Sequence, residues 1–250
     1  MSTPSVMVTD RYLYGVVLSG GDLRAELVGV QGRPVRTVRS GRVAALVGDL
    51  EAADVLGTPD DLLAHTNVLD AVATTDPVLP LAFGTVVPDD VSIENDVLAP
   101  REREYAEALE SLTGYAQYSL RVMFDRDTVL REIVTHDREA GDLQAVIAGT
   151  TEDQTRPQRI RLGEIVVRSF ESLRPAEAAP VLDRLAEVAA DVSEREAGQA
   201  DAVLEAAVLV AYDEAPTFEA AVEDLAAANH ERLRFRLVGP QAPYDFVSGR

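Results

Sequence analysis

Three histidines, His65, His136 and His230, are the first residues to examine for chemistry. Imidazole titrates near neutrality and ligates metals readily. His65 falls on the apolar side of a helix that reads from about Leu62 to Ala73. That is the setting of a core histidine bonded to backbone. His136, in Thr135-His136-Asp137, reads as solvated near a helix end. His230 follows Asn229 at a helix C-terminus, where the helix dipole favours a cation. None has a second histidine at metal-ligating spacing, and no His-Glu-x-x-His occurs. The adjacent carboxylates Asp60-Asp61, Asp89-Asp90 and Glu152-Asp153 resemble acid–base pairs, but caps and solvated loops account for such pairs among 43 acids. No Gly-x-Ser-x-Gly elbow is present. Gly29-Val30-Gln31-Gly32-Arg33-Pro34 lacks the dinucleotide-binding glycine spacing, and Pro34 disfavours a helix after it. All 23 basic residues are Arg, so Schiff-base and phosphate-loop lysine chemistry is excluded. Without cysteine there is no thiolate, disulfide or cysteine-bound zinc. No catalytic, cofactor-binding or metal-ligating residue is assigned, and neither an enzyme nor a bound small molecule is expected.

Charge narrows the partners. The net charge of −20 opposes nucleic acid, whose phosphates demand a basic face, and anionic membranes. No run approaches the ~20 apolar residues of a membrane span. The first residues, MSTPSVMVTDRYLYGVVLSGG, carry no secretory pattern, so a cytoplasmic location is expected. Residues 1–50 hold six Arg against four acids, +2; residues 51–100 hold ten acids and no base, −10. The acidic stretch is either a solvated surface or a face for a basic partner.

The elements that must position these residues follow from pattern. Tyr12–Leu18 and Val43–Val47 read as strands, with a further strand between Ala25 and Arg39. Thr58-Pro59-Asp60-Asp61 opens a helix with Leu62, Leu69, Val72 and Ala73 inward. Pro77–Val87 (PVLPLAFGTVV) reads as a turn and a buried strand, and Arg101–Tyr115 as a helix ending at Gly114. Ser119–Phe124 reads as a strand buried on both sides. Residues 126–148 read as helix, 149–158 as loop, and 159–193 as a long helix broken or kinked at Pro175 and Pro180. In that helix Val181, Leu185, Val188 and Val192 share a stripe. Ala202–Tyr212 fits helix or strand, a helix capped by Thr217 follows, and Arg232–Leu237 alternates as a strand. Interspersed short strands and helices give an α+β fold of two units, the second suited to a split βαβ arrangement. The expected domains are 1–117 and 118–250, the second holding long helices, a small sheet and the extended C-terminal tail. No internal sequence repeat links them.

Four segments together resemble the gas vesicle protein F/L family: Tyr12–Val17 (YLYGVV), Pro77–Val87 after the helix carrying His65, Ile160–Val166 (IRLGEIV), and Arg232–Val247 (RLRFRLVGPQAPYDFV). The resemblance spans nearly the whole chain. Ala82 stands where the family often has a basic residue, and Gln117 where it often has an acid. The resemblance implies a two-domain α+β protein whose first domain is ferredoxin-like. It also implies a non-enzymatic accessory role in building gas vesicles, the gas-filled protein shells that give buoyancy. Implied partners are the hydrophobic shell subunit and other accessory proteins, in a chaperone-like or a structural role. Candidate partner-binding residues are Pro80, Phe83, Gly84 and Thr85, with Pro243, Tyr244 and Phe246 of the tail. Each is otherwise fold glue. A ferredoxin-like small-molecule regulatory module is the alternative, and a hydrolase built on paired carboxylates ranks below it.

Overall fold

The computed structural model of the chain describes residues 9–20, 26–51 and 56–246. Ala25, a bound of the expected second-strand region, Val247 of the tail and residues 1–8 lie outside the described residues. Two compact units emerge: one takes in the chain up to Gln117 together with the tail from Gly239, the other is Tyr118–Val238. The tail therefore groups with the first unit and not with the second, where the sequence placed it.

In the first unit, β1 (Thr9–Leu18), β2 (Val35–Ser40), β3 (Val43–Glu51), α1 (Pro59–Ala73), β4 (Val78–Pro80) and β5 (Val86–Val87) follow in order. The strands lie as β2-β3-β1-β4, each neighbour antiparallel, with β5 also on β1. This is the ferredoxin-like strand order, with no α-helix among the described residues between β1 and β2. A bulge between Leu13 and Gly15 resets the alternation of β1, so Tyr12, Tyr14 and Val17 join one cluster. Gly15 is required there, since a Cβ would strike the Leu79 carbonyl and the Leu69 side chain.

Thr58 and Asp61 form a capping box: Asp61 N donates to Thr58 Oγ1 (3.1 Å) and Thr58 N to Asp61 Oδ2 (3.1 Å). This turns Asp61 inward, where Gln31 Nε2 donates to it (2.8 Å). The buried stripe of α1 is thus Asp61, His65, Val68, Leu69, Val72 and Ala73, and Leu62, expected inward, is 51% exposed. After β5, α2 (Asp90–Ser92) runs through a π-helical turn (Ile93–Leu98) and a 3-10 turn (Ala99–Arg101) into α3 (Glu102–Ser111). This run buries Ile93, Leu98, Tyr105 and Leu109. Asp90 ties it to the sheet by accepting from Arg11 Nε (2.7 Å) and Arg36 (2.8 Å). The helix stops short of Tyr115, with Gly114 left-handed (φ 89°) after it.

The second unit holds β6 (Tyr115–Phe124) from Tyr118 onward, α4 (Arg126–His136), α5 (Arg138–Ile147), α6 (Arg156–Val188), β7 (Asp191–Arg195), β8 (Ala202–Ala211), α7 (Ala215–Ala228) and β9 (Leu233–Gln241) as far as Val238. Its sheet runs β7-β8-β6-β9. Counted within each unit, both sheets have the order second-third-first-fourth, a repeat of topology without a repeat of sequence.

Several expectations are corrected here. Residues 126–148 are two helices, because Asp137 leaves helical geometry and caps α5 (Ala140 N to Asp137 Oδ1, 2.9 Å). The loop after it is shorter than expected, since α6 starts at Arg156. Neither Pro175 nor Pro180 breaks α6: both are exposed, where a carbonyl lacking a partner is solvated. Past Val188 the chain is extended, so Val192 lies in β7 and not on a helical stripe. Ala202–Tyr212 resolves as strand β8 up to Ala211, with Tyr212 in the turn after it. In β6 Tyr118, Leu120, Val122 and Phe124 are buried, but Arg121 is exposed and pairs with Glu205 (3.3 Å), so burial is not two-sided at that position. The alternation of β9 holds, with Leu233 buried and Arg234 and Arg236 exposed.

Candidate interaction surface

The first unit gathers Tyr12 and Tyr14 from β1, His65 from α1, Phe83 from the turn between β4 and β5, and Tyr244 from the tail. Tyr12 meets Tyr14 edge-on at 4.9 Å, and Tyr14 stacks on His65 at 5.6 Å. His65 and Phe83 meet edge-on at 5.7 Å. Such pairs contribute about 0.5–1.5 kcal/mol each beyond area burial. The Tyr12 hydroxyl is hydrogen-bonded to His65 Nδ1 (2.9 Å) and accepts from Gly84 N (3.2 Å). His65 also hydrogen-bonds the Leu81 backbone. His65, 2% exposed, thus holds both ends of the Leu81–Gly84 turn, one directly and one through Tyr12. Val30 N donates to the Tyr14 hydroxyl (2.8 Å), and burial pushes that phenol up to about 12.

The strand segment 78–87 lies along β1. Its β4 part pairs with Gly15–Val17 and its β5 part with Arg11–Tyr12. Between them Leu81 N donates to Tyr14 O (2.9 Å), Leu13 N to Thr85 O (2.9 Å) and Thr85 N to Ala82 O (3.2 Å). Gly84 sits at φ 85°, a left-handed position that favours glycine. Beyond β1, no strand among the described residues pairs with β4 or β5, so the outer side of this segment is a sheet edge. Pro77–Val87 contains no charged side chain, in a chain that is 26% charged. Edge strands of soluble proteins ordinarily carry charges there.

The sequence-derived residues divide between inside and outside. Pro80 and Thr85 are half-buried; Phe83 points into the aromatic cluster, while Gly84 is exposed. Pro243 is buried, Tyr244 packs on the same cluster, and Phe246 is half-buried outside it. The two candidate segments, far apart in sequence, therefore share one cluster through Phe83 and Tyr244. Ala242 N donates to Asp70 Oδ1 (3.0 Å), Asp245 N to Gln117 Oε1 (3.1 Å), and Gln117 Nε2 to Asp245 Oδ2 (2.8 Å). Sequence reasoning missed Tyr12, Asp70 and Gln117 as anchors; it expected a backbone partner for the buried His65, which Leu81 supplies, and did not foresee the bond to Tyr12. The tyrosine-rich strand was visible; which side chain its hydroxyls would meet was not.

Burial holds His65 below its ordinary 6.5, opposed by the hydrogen bond to Leu81. Its contribution to stability is complete above about 6.5 and declines as pH falls below that, because the unfolded chain takes up the proton first. Asp70, raised by burial against its hydrogen bond from Ala242, acts in the opposite sense nearer the carboxylate range. The thermal midpoint is therefore expected to drop between pH 7.5 and 5.5, and His65→Gln to flatten that slope. An unchanged slope in the variant would exclude His65 as the source.

In the second unit a cleft of about 350 Å³ is lined by Glu132, His136, Asp137, Ser169 and Ser172. Ser169 donates to the Ile165 carbonyl, Ser172 to that of Ser169, and the His136 Nδ1 bonds the Glu132 carbonyl. These bonds aim the hydroxyls along the helix and leave no serine–histidine pair. Among the described residues no group of three or more His, Asp or Glu is arranged to hold a metal.

The profile of the family described as gas vesicle synthesis protein GvpL/GvpF matches residues 10–248. Gas vesicle protein F of Streptomyces sp. (strain CB03234) is 33% identical over 244 residues, covering 94% of this chain and 98% of that one. Gas vesicle protein L of the same strain is 27% identical over 263 residues, with 96% and 94% covered. The crystal structure of GvpF from Anabaena sp. PCC7120 has the same fold, with a TM-score of 0.78, 22% identity and 97% of each chain covered. That of GvpF from Microcystis aeruginosa gives 0.73 at 23% identity, covering 96% of this chain and 99% of that one.

Proposed function

The chain belongs to the gas vesicle synthesis protein GvpL/GvpF family, and on that premise we propose that it binds the hydrophobic shell subunit through the outer edge of its first sheet. Its role is accessory to gas vesicles. The finer reading is chaperone-like: a shell subunit that must keep an apolar surface for the gas side would aggregate if left uncovered. An extended apolar segment of that subunit adds to the free edge at 78–87, main-chain hydrogen bonds giving affinity and alternate side chains giving specificity.

The observation that carries this reading is the uncharged Pro77–Val87 segment at a sheet edge, with Val86 37% exposed on it. Natural edges are blunted by charge, proline or bulges to stop association. Prolines 77, 80 and 88 interrupt this edge without adding charge, which suits a site that pairs with one partner and resists open-ended stacking. The net charge of −20 supports the dispersed state of such a complex. The aromatic cluster beneath fixes the segment in shape before a partner arrives, which lowers the ordering entropy of binding.

Val86→Arg tests the edge directly. The side chain already reaches solvent, so folding should change by less than about 1 kcal/mol. Co-expressed with the shell subunit, the variant is expected to recover at least about tenfold less of it than the unaltered chain, as a charge buried at the centre of a strand-pairing site would require. Undiminished recovery would place the contact elsewhere.

A further inference from the structure

The family-like segment IRLGEIV lies in α6, and its outward side has no use in the reading above. The exposed positions of α6 include Arg156, Ile160, Gly163, Glu164, Val167 and Glu171. Steps of three and four residues put them on one helical face. Ile160 is 57% exposed and Val167 42%, large values for aliphatics within one stripe. Gly163 lies between them mid-helix, where glycine costs about 1 kcal/mol relative to alanine. No neighbouring atom demands it, since a Cβ there would meet nothing within 4 Å. Beside it a cleft of about 420 Å³ is lined by Gly163, Val166, Val167 and Phe170 from α6, with Gln199 and Asp201. Arg161 and Glu164 are paired with each other at 3.2 Å, and Arg161 also with Glu139 at 2.6 Å. Arg156 and Glu171, at the ends of the stripe, make no ion pair among the described residues.

We propose that this face of α6 is a self-complementary docking surface for a second copy of the chain, the two helices antiparallel about a two-fold axis at Gly163–Glu164. The sequence pattern selects that occupant. With the axis there, Arg156 stands opposite Glu171 of the other copy, Ile160 opposite Val167, and Gly163 opposite Glu164, each contact occurring twice. That is the property of an isologous interface, in which one patch must complement itself. A parallel copy would place Arg156 beside Arg156 and Glu171 beside Glu171. Arg156 and Glu171 are separated by about 22 Å along the helix, so the pairs close both ends of the aliphatic seam. Gly163 removes the side chain where the two backbones come closest, and the adjoining cleft receives the Ile160 side chain of the other copy. This inference is independent of the edge at 78–87, which lies in the other unit.

Sedimentation velocity of the full chain across a concentration series tests it, with circular dichroism to confirm folding. The unaltered chain of 27.0 kDa is expected to shift reversibly toward twice that mass. Gly163→Arg, in open space on a helix, should fold normally and stay monomeric. Arg156→Glu and Glu171→Arg alone should each raise the dissociation constant about tenfold, as pairs of like charge are set face to face. The double variant should restore dimerisation, because its ion pairs re-form with reversed sign between copies. A monomer at every concentration would overturn the proposal, and so would a dimer indifferent to Gly163→Arg or singles that the double variant does not rescue.

Discussion

His65→Ala is expected to destabilise the first unit by about 4 kcal/mol, the upper range for truncating a buried ring. The ring is fully enclosed by Tyr12, Tyr14 and Phe83, which cannot all collapse into the space without breaking the strand register of β1. Its removal also takes a partner from the Leu81 backbone and from the Tyr12 hydroxyl, which keeps its bond from Gly84 N, where a buried group left unpaired costs about 1–3 kcal/mol. The loss should be local. Amide exchange should accelerate in β4, β5 and the intervening turn, while amides of β8 in the second unit keep their protection. Urea denaturation followed by circular dichroism gives the magnitude. A change below about 1 kcal/mol would mean that the histidine is not what holds the turn.

Ending the chain at Gln241 is expected to cost about 4 kcal/mol. The tail inserts Ala242 and Pro243 into buried positions and lays Tyr244 on the aromatic cluster, where burial pushes its phenol up to about 12. Burying one such side chain contributes about 1.5–3 kcal/mol, and the Ala242–Asp70 and Asp245–Gln117 hydrogen bonds add about 1 kcal/mol each. Phe246→Ala alone should cost less than about 1.5 kcal/mol, since that ring lies outside the cluster. Thermal melts of the truncated and substituted chains separate the two effects. A truncated chain as stable as the full one would show the tail to be a passenger.

Much of this architecture was legible. The Thr58-Pro59-Asp60-Asp61 start, the alternating 232–237 strand and the glycine stop at 114 are local signals, and local physics decides them. What sequence could not show depended on distant partners. Leu62 reads as inward by spacing, yet the capping box rotates Asp61 to that side to meet Gln31 from a loop thirty residues earlier. Pro175 and Pro180 read as breaks, yet both fall on the solvent face, where the helix absorbs them. Val192 reads as the end of a helical stripe, yet β8 supplies a strand edge that captures it. The candidate residues were found as two separate segments; that Phe83 and Tyr244 meet on one cluster is a tertiary fact without a sequence pattern.

Co-expression with the shell subunit, affinity capture of this chain and size-exclusion chromatography at low and high salt is the most direct test of the proposed binding. Apolar and main-chain contacts at the 78–87 edge persist when exposed charges are screened, over a Debye length of about 3 Å at 1 M salt. The expected result is a soluble complex of the two chains that survives high salt. No complex at either salt, or one that dissolves at high salt because the acidic surface alone held it, would contradict binding through that edge.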